Sequence, residues 1–153
     1  MQPAKESNEP EVILVSACLL GLPTRWDGDD RQREEAVRLA AHCHLVPVCP
    51  EQAGGLPTPR DPAEITEGDG PAVLDGAARV LNTAGVDVTD NYRRGAQTAA
   101  RLAELTGARR ALLKEGSPSC GVSRIRRNDN DVRGCGVTTA LLRRKGIAVE
   151  GVE

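Results

Sequence analysis

Three of the five cysteines lie in short segments rich in glycine, proline and serine, and each segment follows an apolar run. They are Cys18, Cys49 and Cys120. Thiolates suit zinc or an iron–sulfur cluster, and three of them leave one coordination position of a metal centre free. A free position distinguishes a catalytic metal site from a structural one. The three cysteines therefore predict a reactive metal centre, with small buried core thiols as the alternative interpretation.

The other metal-binding side chains fit such a centre less well. Cys43 is predicted on the face of a helix and Cys135 at the start of the last helix, where both would be core residues. His42 or His44 could supply a fourth ligand near Cys49, but His44 falls at the far end of its predicted strand. No Cys-x-x-Cys pair occurs, which disfavours a zinc ribbon or finger. A 4Fe-4S cluster with one iron that lacks a protein ligand fits these residues best.

Polar side chains close to the cysteines are candidates for acid–base chemistry and for substrate contact. Glu51 lies two residues past Cys49, where its carboxylate could act as a general base or simply face solvent. Ser117 and Ser119 flank Pro118, and either could orient a substrate, although serine in turns commonly bonds only backbone. The other candidate polar groups of the same cleft, each also interpretable as a surface residue, are Arg25, Asp27, Arg60 and Lys114.

Strands and helices alternate along the chain and must position these side chains. Apolar runs predict strands over residues 12–17, 45–48, 110–114 and 147–149. Helical spacing and capping signals predict helices over residues 31–42, 89–106 and 137–145. Two short apolar runs, at 72–74 and 78–81, are separated by Asp75-Gly76 and predict a hairpin. Residues 18–30, 50–60 and 115–134 are predicted loops.

This alternation predicts a three-layer α/β domain with a mainly parallel sheet over residues 11–153, after a disordered tail over residues 1–10. In open parallel sheets the carboxyl ends of the strands share one edge, and ligands bind there. Cys18, Cys49 and Cys120 each follow a predicted strand. We therefore expect their three loops to meet in one cleft at that edge.

Composition and charge exclude several classes of partner. The 153 residues include no Phe, one Trp and one Tyr, and the formal net charge is −2. A nucleic-acid polymer is disfavoured because the chain lacks both a basic excess and aromatic stacking platforms. The polar first ten residues and the lack of a long apolar run predict no signal peptide and no membrane partner. We expect a reducing, cytoplasmic location, in which cysteines are thiols or metal ligands.

Several ordered motifs make the chain similar to the thiouracil desulfidase family over about residues 12–149. The motifs are Ser16-Ala17-Cys18-Leu19-Leu20-Gly21, Trp26-Asp27-Gly28, Cys49-Pro50-Glu51, Gly54-Gly55-Leu56-Pro57-Thr58-Pro59-Arg60, residues 114–121 and residues 136–142. The chain departs from the family pattern at Trp26, where tyrosine is usual, at Cys135, and in the arginine-rich segment 123–135.

The resemblance implies a 4Fe-4S cluster held by Cys18, Cys49 and Cys120. Its fourth iron would bind the sulfur of a small thiolated heterocycle such as 2-thiouracil. By motif position, Glu51 and Ser117 would assist, with the glutamate activating a water that attacks the thiocarbon. The products would be the oxo base and hydrosulfide, with no net redox change.

Two other functions remain open from the residues themselves. A non-catalytic iron–sulfur or zinc protein, acting as a redox sensor or sulfur-carrier partner, would use the same three cysteines without Glu51. A thiol-only binder of small molecules would hold no metal. The sequence does not indicate an oligomeric state.

Overall fold

The structure is a computed structural model that describes residues 9–153. Its strands are β1 (Glu11–Ser16), β2 (Cys43–Val48), β3 (Ala63–Ile65), β4 (Val80–Asn82), β5 (Arg110–Lys114), β6 (Arg124–Arg127), β7 (Asn130–Arg133) and β8 (Ala148–Val152). Its α-helices are α1 (Glu34–Arg38), α2 (Pro50–Ala53), α3 (Gly70–Leu74), α4 (Thr89–Thr106) and α5 (Val137–Arg144). Short 3₁₀ helices cover Ala17–Leu20 and Leu39–Ala41.

The central sheet has the strand order β2-β1-β5-β8, and all its neighbouring strands are parallel. In its register Ile13 of β1 lies opposite Leu45 of β2 and Arg110 of β5. Ile13, Leu14 and Val15 are completely buried, because both faces of the strand are covered. A strand buried on both faces has a continuous apolar run rather than an alternating pattern.

Helical layers cover both faces of this sheet. On one face the 3₁₀ helix Ala17–Leu20 and α1 contribute Leu19 and Ala36 to a cluster with Ile13, Val15 and Leu112. On the other face, residues of α4 and α5 pack against the sheet, and the buried members of that cluster include Leu14, Ala99, Ala103, Leu113 and Leu142. This arrangement confirms the predicted three-layer α/β fold with a mainly parallel sheet.

The long helix α4 has the predicted bounds. Its start is fixed by Asp87, whose Oδ1 accepts a hydrogen bond of 2.9 Å from the Thr89 N–H. It ends at Gly107, whose φ of 76° is the left-handed conformation common after helices. Tyr92 and Ala96 lie on its buried face. Small side chains on that face allow neighbouring backbone to come close, which compensates for the scarcity of aromatic residues in the core.

The predicted hairpin over residues 72–81 is wrong. Residues Gly70–Leu74 form α3, Asp75 is its C-cap, and Gly76 follows with a φ of 78°. Asp75-Gly76 therefore ends a helix, a role that its left-handed glycine suits as well as a hairpin turn. The second apolar run becomes β4, which pairs antiparallel with β3, a strand that the sequence did not predict.

The segment 115–134 is not wholly a loop as predicted, because β6 and β7 form an antiparallel hairpin. Its turn is Asn128-Asp129, with φ values of 51° and 63°, as a two-residue hairpin turn requires. The predicted helix over 31–42 is shorter, being α1 followed by the 3₁₀ helix Leu39–Ala41. Cys43 consequently lies on β2, and its predicted place on a helix face is wrong.

The division into a tail over residues 1–10 and one domain over residues 11–153 stays a prediction, and the first eight residues lie outside the described part of the chain. Over residues 9–153, no helix has both the length and the apolar character required to cross a membrane.

Candidate metal centre

A cavity of about 550 Å³ opens at the carboxyl ends of β1, β2 and β5. Cys18, Cys49 and Cys120 all line it, although they come from loops far apart in the sequence. The parallel sheet brings them together because its strands end at one edge. The structure thus gathers the three cysteines that the sequence singled out.

A different local structure holds each of the three cysteines. Cys18 lies on the 3₁₀ helix that follows β1 directly. Cys49 is the N-cap residue of α2, and its Sγ lies 3.5 Å from the carbonyl oxygen of Thr24. Cys120 lies in a turn closed by the Gly121 N–H, which donates to the Ser117 carbonyl at 2.9 Å. The local backbone structure after each strand therefore brings its cysteine to the cavity.

Burial raises the pKa of all three thiols, and for Cys120 it does so to about 12. The thiols also act on each other, since a negative charge on Cys49 raises the pKa of both Cys18 and Cys120. Three mutually repelling thiolates in one buried cavity need a strong positive centre among them. Metal ions provide such a centre and deprotonate coordinating thiols.

The donor set fits a cluster better than a single ion. Within residues 9–153, no three His, Cys, Asp or Glu side chains form a group that could hold one metal ion. Sulfur ligands of one zinc ion lie within about 4 Å of each other, given its bond length and tetrahedral geometry. A 4Fe-4S cluster binds each thiolate to a separate iron, so it does not require the three sulfur atoms to converge on one ion. Arg25 also lines this cavity and places a positive charge beside the thiols, while its buried Nε lies 3.8 Å from Asp27 Oδ1.

Glu51 lines the same cavity from the first turn of α2. Its Oε1 accepts a hydrogen bond of 2.9 Å from Nε of Arg60, and the two side chains are only 15% and 6% exposed. The buried phenol of Tyr92 also faces Glu51. Burial and this carboxylate hold the pKa of Tyr92 well above its ordinary value, so the phenol remains a hydrogen-bond donor. Glu51 is therefore held between a cation and a neutral donor.

The two candidate serines have different surroundings. Ser117 lines the cavity, and its Oγ accepts hydrogen bonds from the N–H groups of Ser119 at 3.1 Å and Cys120 at 2.7 Å. Ser119 is 1% exposed, and its hydroxyl lies 3.0 Å from that of Thr138 on α5. The structure brings Ser117, but not Ser119, to the cavity.

The remaining predicted polar residues line the cysteine cavity, a separate surface groove, or both. Lys114 lines the cavity, and burial together with nearby Arg25 lowers its pKa. Asp27 instead lines a separate surface groove of about 480 Å³, with Leu56 and Pro57. Arg60 borders both spaces. The structure therefore leaves Asp27 outside the cysteine cavity.

The remaining two cysteines lie outside the cavity. Cys135 is buried, and its N–H donates to Asp69 Oδ2 at 2.9 Å. Cys43 packs against the core cluster around Ile13 and Val15. All five cysteines are free thiols. Cys135 is buried as the sequence predicted, whereas Cys43 is partly buried and packs against the core from a strand.

Two structural features of the site were missed from the sequence. Glu115 is 8% exposed, and its carboxylate accepts hydrogen bonds from the N–H groups of Val122 and Ser123, which shapes the loop that carries Cys120. A carboxylate directly after a strand, inside the motif at 114–121, was the available signal. The β6–β7 hairpin forms another wall of the cavity with charged side chains: Arg124, Arg126, Asp129 and Asp131.

The fold and the site together define a class: α/β proteins with a thiol-lined cavity at the carboxyl edge of a parallel sheet. Within that class the chain belongs to the 2-thiouracil desulfurase family, whose family model matches residues 13–153. The resemblance seen in the sequence motifs is thereby confirmed.

Two relatives illustrate the similarity. The solved structure of the 4Fe-4S-dependent thiouracil desulfidase TudS is 46% identical in sequence and superimposes with a TM-score of 0.80, over 92% of this chain and 90% of that chain. The protein YbbK of Bacillus subtilis (strain 168) is 40% identical over 141 residues, which cover 90% of this chain and 93% of the relative.

Proposed function

We propose that this chain is a 4Fe-4S-dependent desulfidase that converts a small thiolated heterocycle such as 2-thiouracil into its oxo form and releases hydrosulfide. The observation that carries the proposal is the placement of Cys18, Cys49 and Cys120 around one cavity that Glu51 and Ser117 also line. Membership of the 2-thiouracil desulfurase family and the similarity to TudS support it.

We assign the cluster to Cys18, Cys49 and Cys120, which leaves one iron without a protein ligand. When bound, such a cluster supplies a thiophilic Lewis acid that makes the substrate sulfur a better leaving group. Burial and mutual repulsion disfavour the three thiolates on their own. Coordination to the cluster would deprotonate the thiols and so supply the negative charge that the metal centre requires. Arg25 and Lys114 line the cavity and offset the charge of the assembled site.

Glu51 acts as the general base of the reaction. Its carboxylate takes a proton from a water molecule, whose oxygen adds to the thiocarbon. The carbon–sulfur bond then breaks, a carbon–oxygen double bond forms, and sulfur leaves as hydrosulfide. One water is consumed, and neither an oxidant nor a reductant is needed. The ion pair with Arg60 holds the Glu51 carboxylate in place at the cavity.

Ser117 orients the substrate by donating a hydrogen bond. Its oxygen is already used as an acceptor for two backbone N–H groups, which fixes the direction of its remaining proton. Lys114, half-buried at the end of β5, is a second candidate donor to the heterocycle. Ser119 and Asp27 are not part of this proposal, because neither side chain lines the cavity.

The cavity supports a small-molecule substrate rather than a polymer. Its volume of about 550 Å³ lies in the range of ordinary ligand pockets. A net charge of −2 gives no electrostatic case for a nucleic-acid backbone. We also propose a reducing, cytoplasmic setting for this enzyme, since five free thiols would be oxidised elsewhere.

The test is turnover by protein reconstituted without oxygen. Wild-type protein should convert 2-thiouracil into equal amounts of uracil and hydrosulfide. Glu51→Gln should retain its iron and sulfide but lose turnover by about 10²- to 10⁴-fold, the usual contribution of a general base. Glu104→Gln, an exposed carboxylate on α4, is the matched control and should match wild type. A wild-type protein that holds the cluster without turnover would instead be a sensor or sulfur carrier.

A further inference from the structure

The Arg60 side chain is 6% exposed and uses all five of its N–H groups inside the protein. Its Nε donates to Glu51 Oε1 at 2.9 Å, and Nη2 lies 3.7 Å from the sulfur of Cys49. The other bonds go to loop oxygens: the Pro57 carbonyl at 3.2 Å, Thr58 Oγ1 at 3.0 Å and the Thr24 carbonyl at 3.0 Å. One guanidinium therefore contacts both the carboxylate and a cysteine of the cavity.

Because every N–H group of the Arg60 side chain already has a partner, Arg60 does not fit the role of a substrate-binding residue. The sequence places it among the candidate substrate-binding residues, but no N–H group is left to bind a substrate. Its own backbone N–H is also engaged, donating to the Trp26 carbonyl at 2.7 Å. The residue thus ties the loop after Cys18 to the start of α2.

A hydrogen bond from a guanidinium to a cysteine sulfur has a specific electronic effect. The N–H group and its positive charge withdraw electron density from a thiolate, which stabilises the more negative, reduced state of an attached cluster. Hydrogen bonds of this kind to ligand atoms are a recognised means of tuning a metal centre. The effect is measurable whether or not the cluster changes redox state during the reaction.

We propose that Arg60 is a positioning residue that couples the general base to the cluster, and this inference rests on the proposed function. Its Nε holds the Glu51 carboxylate at the cavity, and its Nη2 supports Cys49 as a ligand. A planar fork is required because two different nitrogen atoms, Nε and Nη2, donate to the two acceptors at once, whereas lysine has a single compact ammonium.

The test compares Arg60→Lys and Arg60→Gln with wild type after reconstitution without oxygen. Arg60→Gln should lower the reduction potential of the cluster and reduce kcat by about 10- to 100-fold, with KM almost unchanged. Arg60→Lys should recover part of kcat by pairing with Glu51, while the potential stays below that of wild type. Arg101→Gln removes the same charge from the exposed surface of α4 and should change neither quantity.

A second comparison guards against misfolding, because Arg60→Gln leaves a buried carboxylate without its partner. The double variant Glu51→Gln/Arg60→Gln removes both charges of the pair. Measured against Glu51→Gln alone, it shows the effect of Arg60 on the cluster without the Glu51 pair, and its cluster should have the lower potential.

The possible results distinguish the role inferred for Arg60 from the proposed desulfidase function. Unchanged potentials in every Arg60 variant, with a wild type that turns over, would overturn this inference and leave the proposed function intact. A rise in KM at constant kcat would also overturn it, because it would indicate substrate binding. A cluster-loaded wild type without turnover would overturn the proposed function, while a lowered potential in the double variant would still support the bond from Arg60 to Cys49.

Discussion

The Ser117 hydroxyl oxygen accepts a hydrogen bond of 2.7 Å from the backbone N–H of Cys120. The same oxygen accepts a second bond of 3.1 Å from the N–H of Ser119. Both bonds tighten the turn that places Cys120 at the cavity. Within residues 9–153 no side chain or carbonyl accepts the Ser117 proton in a hydrogen bond, so that proton can be donated to a substrate. The Ser117 side chain therefore stabilises this turn and can also donate a hydrogen bond to the substrate.

Replacing Ser117 should therefore affect both properties. We expect Ser117→Ala to lower the free energy of unfolding by about 1 kcal/mol, because two backbone donors lose their acceptor. Turnover per cluster should fall at least about tenfold, as expected for a lost orienting group. Urea unfolding and hydrosulfide release, each normalised to iron content, measure the two effects.

Ser119→Ala is the matched variant for this prediction. Its hydroxyl is buried against Thr138 and lies 4.0 Å from Cys120 Sγ, outside the cavity, so its loss should cost stability but lower turnover per cluster less than the loss of Ser117 does. Full activity in Ser117→Ala together with inactive Ser119→Ala would reverse the assignment of the two serines.

Helix α2 approaches α4 so closely that only glycine fits between them. A Cβ atom on Gly95 of α4 would lie 1.9 Å from the carbonyl oxygen of Pro50, and one on Gly54 would lie 2.0 Å from that of Asn91. The Asn91 side chain adds a hydrogen bond of 2.8 Å to the Gly54 carbonyl. Because α2 follows Cys49 and carries Glu51, this contact positions two residues of the site.

Gly95→Ala should therefore be harmful, although glycine-to-alanine changes inside helices usually stabilise by about 1 kcal/mol. We expect a loss of about 2 kcal/mol or more in the free energy of unfolding, together with a lower cluster yield, as α2 is displaced. Gln97→Ala, exposed on the same helix, is the control and should be neutral. A stabilised, fully loaded Gly95→Ala protein would contradict the contact between the helices.

Glu115 should make the stability of the chain depend on pH. Burial alone would raise its pKa, but hydrogen bonds from Ser123, Val122 and Arg124 outweigh burial and lower it below 4.5. A carboxyl whose pKa is lower in the folded state stabilises the fold above its ordinary pKa, and that contribution is lost as the pH falls through the folded value. The carboxylate form is thus part of the folded loop.

We expect Glu115→Gln to reduce the free energy of unfolding by about 2 kcal/mol at pH 7, because an amide turns two donors toward backbone N–H groups. The difference from wild type should shrink as the pH falls below about 4. Urea titrations at several pH values give this difference directly, with Glu104→Gln as an exposed control. A difference that is constant from pH 7 to about pH 3 would rule out an ionised Glu115.

The central sheet and the longest helix were predictable because their signals are local. Strand β1 is buried on both faces, so its apolar run is unbroken, and α4 has before it Asp87, which accepts from the Thr89 N–H, and a glycine after it. The β6–β7 hairpin was missed because most of its side chains are charged or polar, which hides the apolar–polar alternation that marks a strand. Its turn residues, Asn128 and Asp129, were the readable signal.

The convergence of the three cysteines was also predictable from the sequence, but the surroundings of Ser119 and Arg60 were not. The convergence of Cys18, Cys49 and Cys120 follows from strand order alone, since parallel strands share an edge. Which serine faces the cavity depends instead on Thr138, nineteen residues away from Ser119. The enclosure of Arg60 likewise depends on distant loop carbonyls, including that of Thr24. Contacts between residues far apart in the chain cannot be inferred from local sequence patterns.

The most direct test of the account is the iron and acid-labile sulfide content of protein reconstituted without oxygen. We predict about four of each per wild-type chain. The cluster should be lost in Cys18→Ala, Cys49→Ala and Cys120→Ala but kept in Cys43→Ala, whose thiol packs against the core outside the cavity. Zinc or no metal in the wild type, or clusters retained by all three cavity variants, would contradict the cluster-dependent desulfidase proposed for this chain.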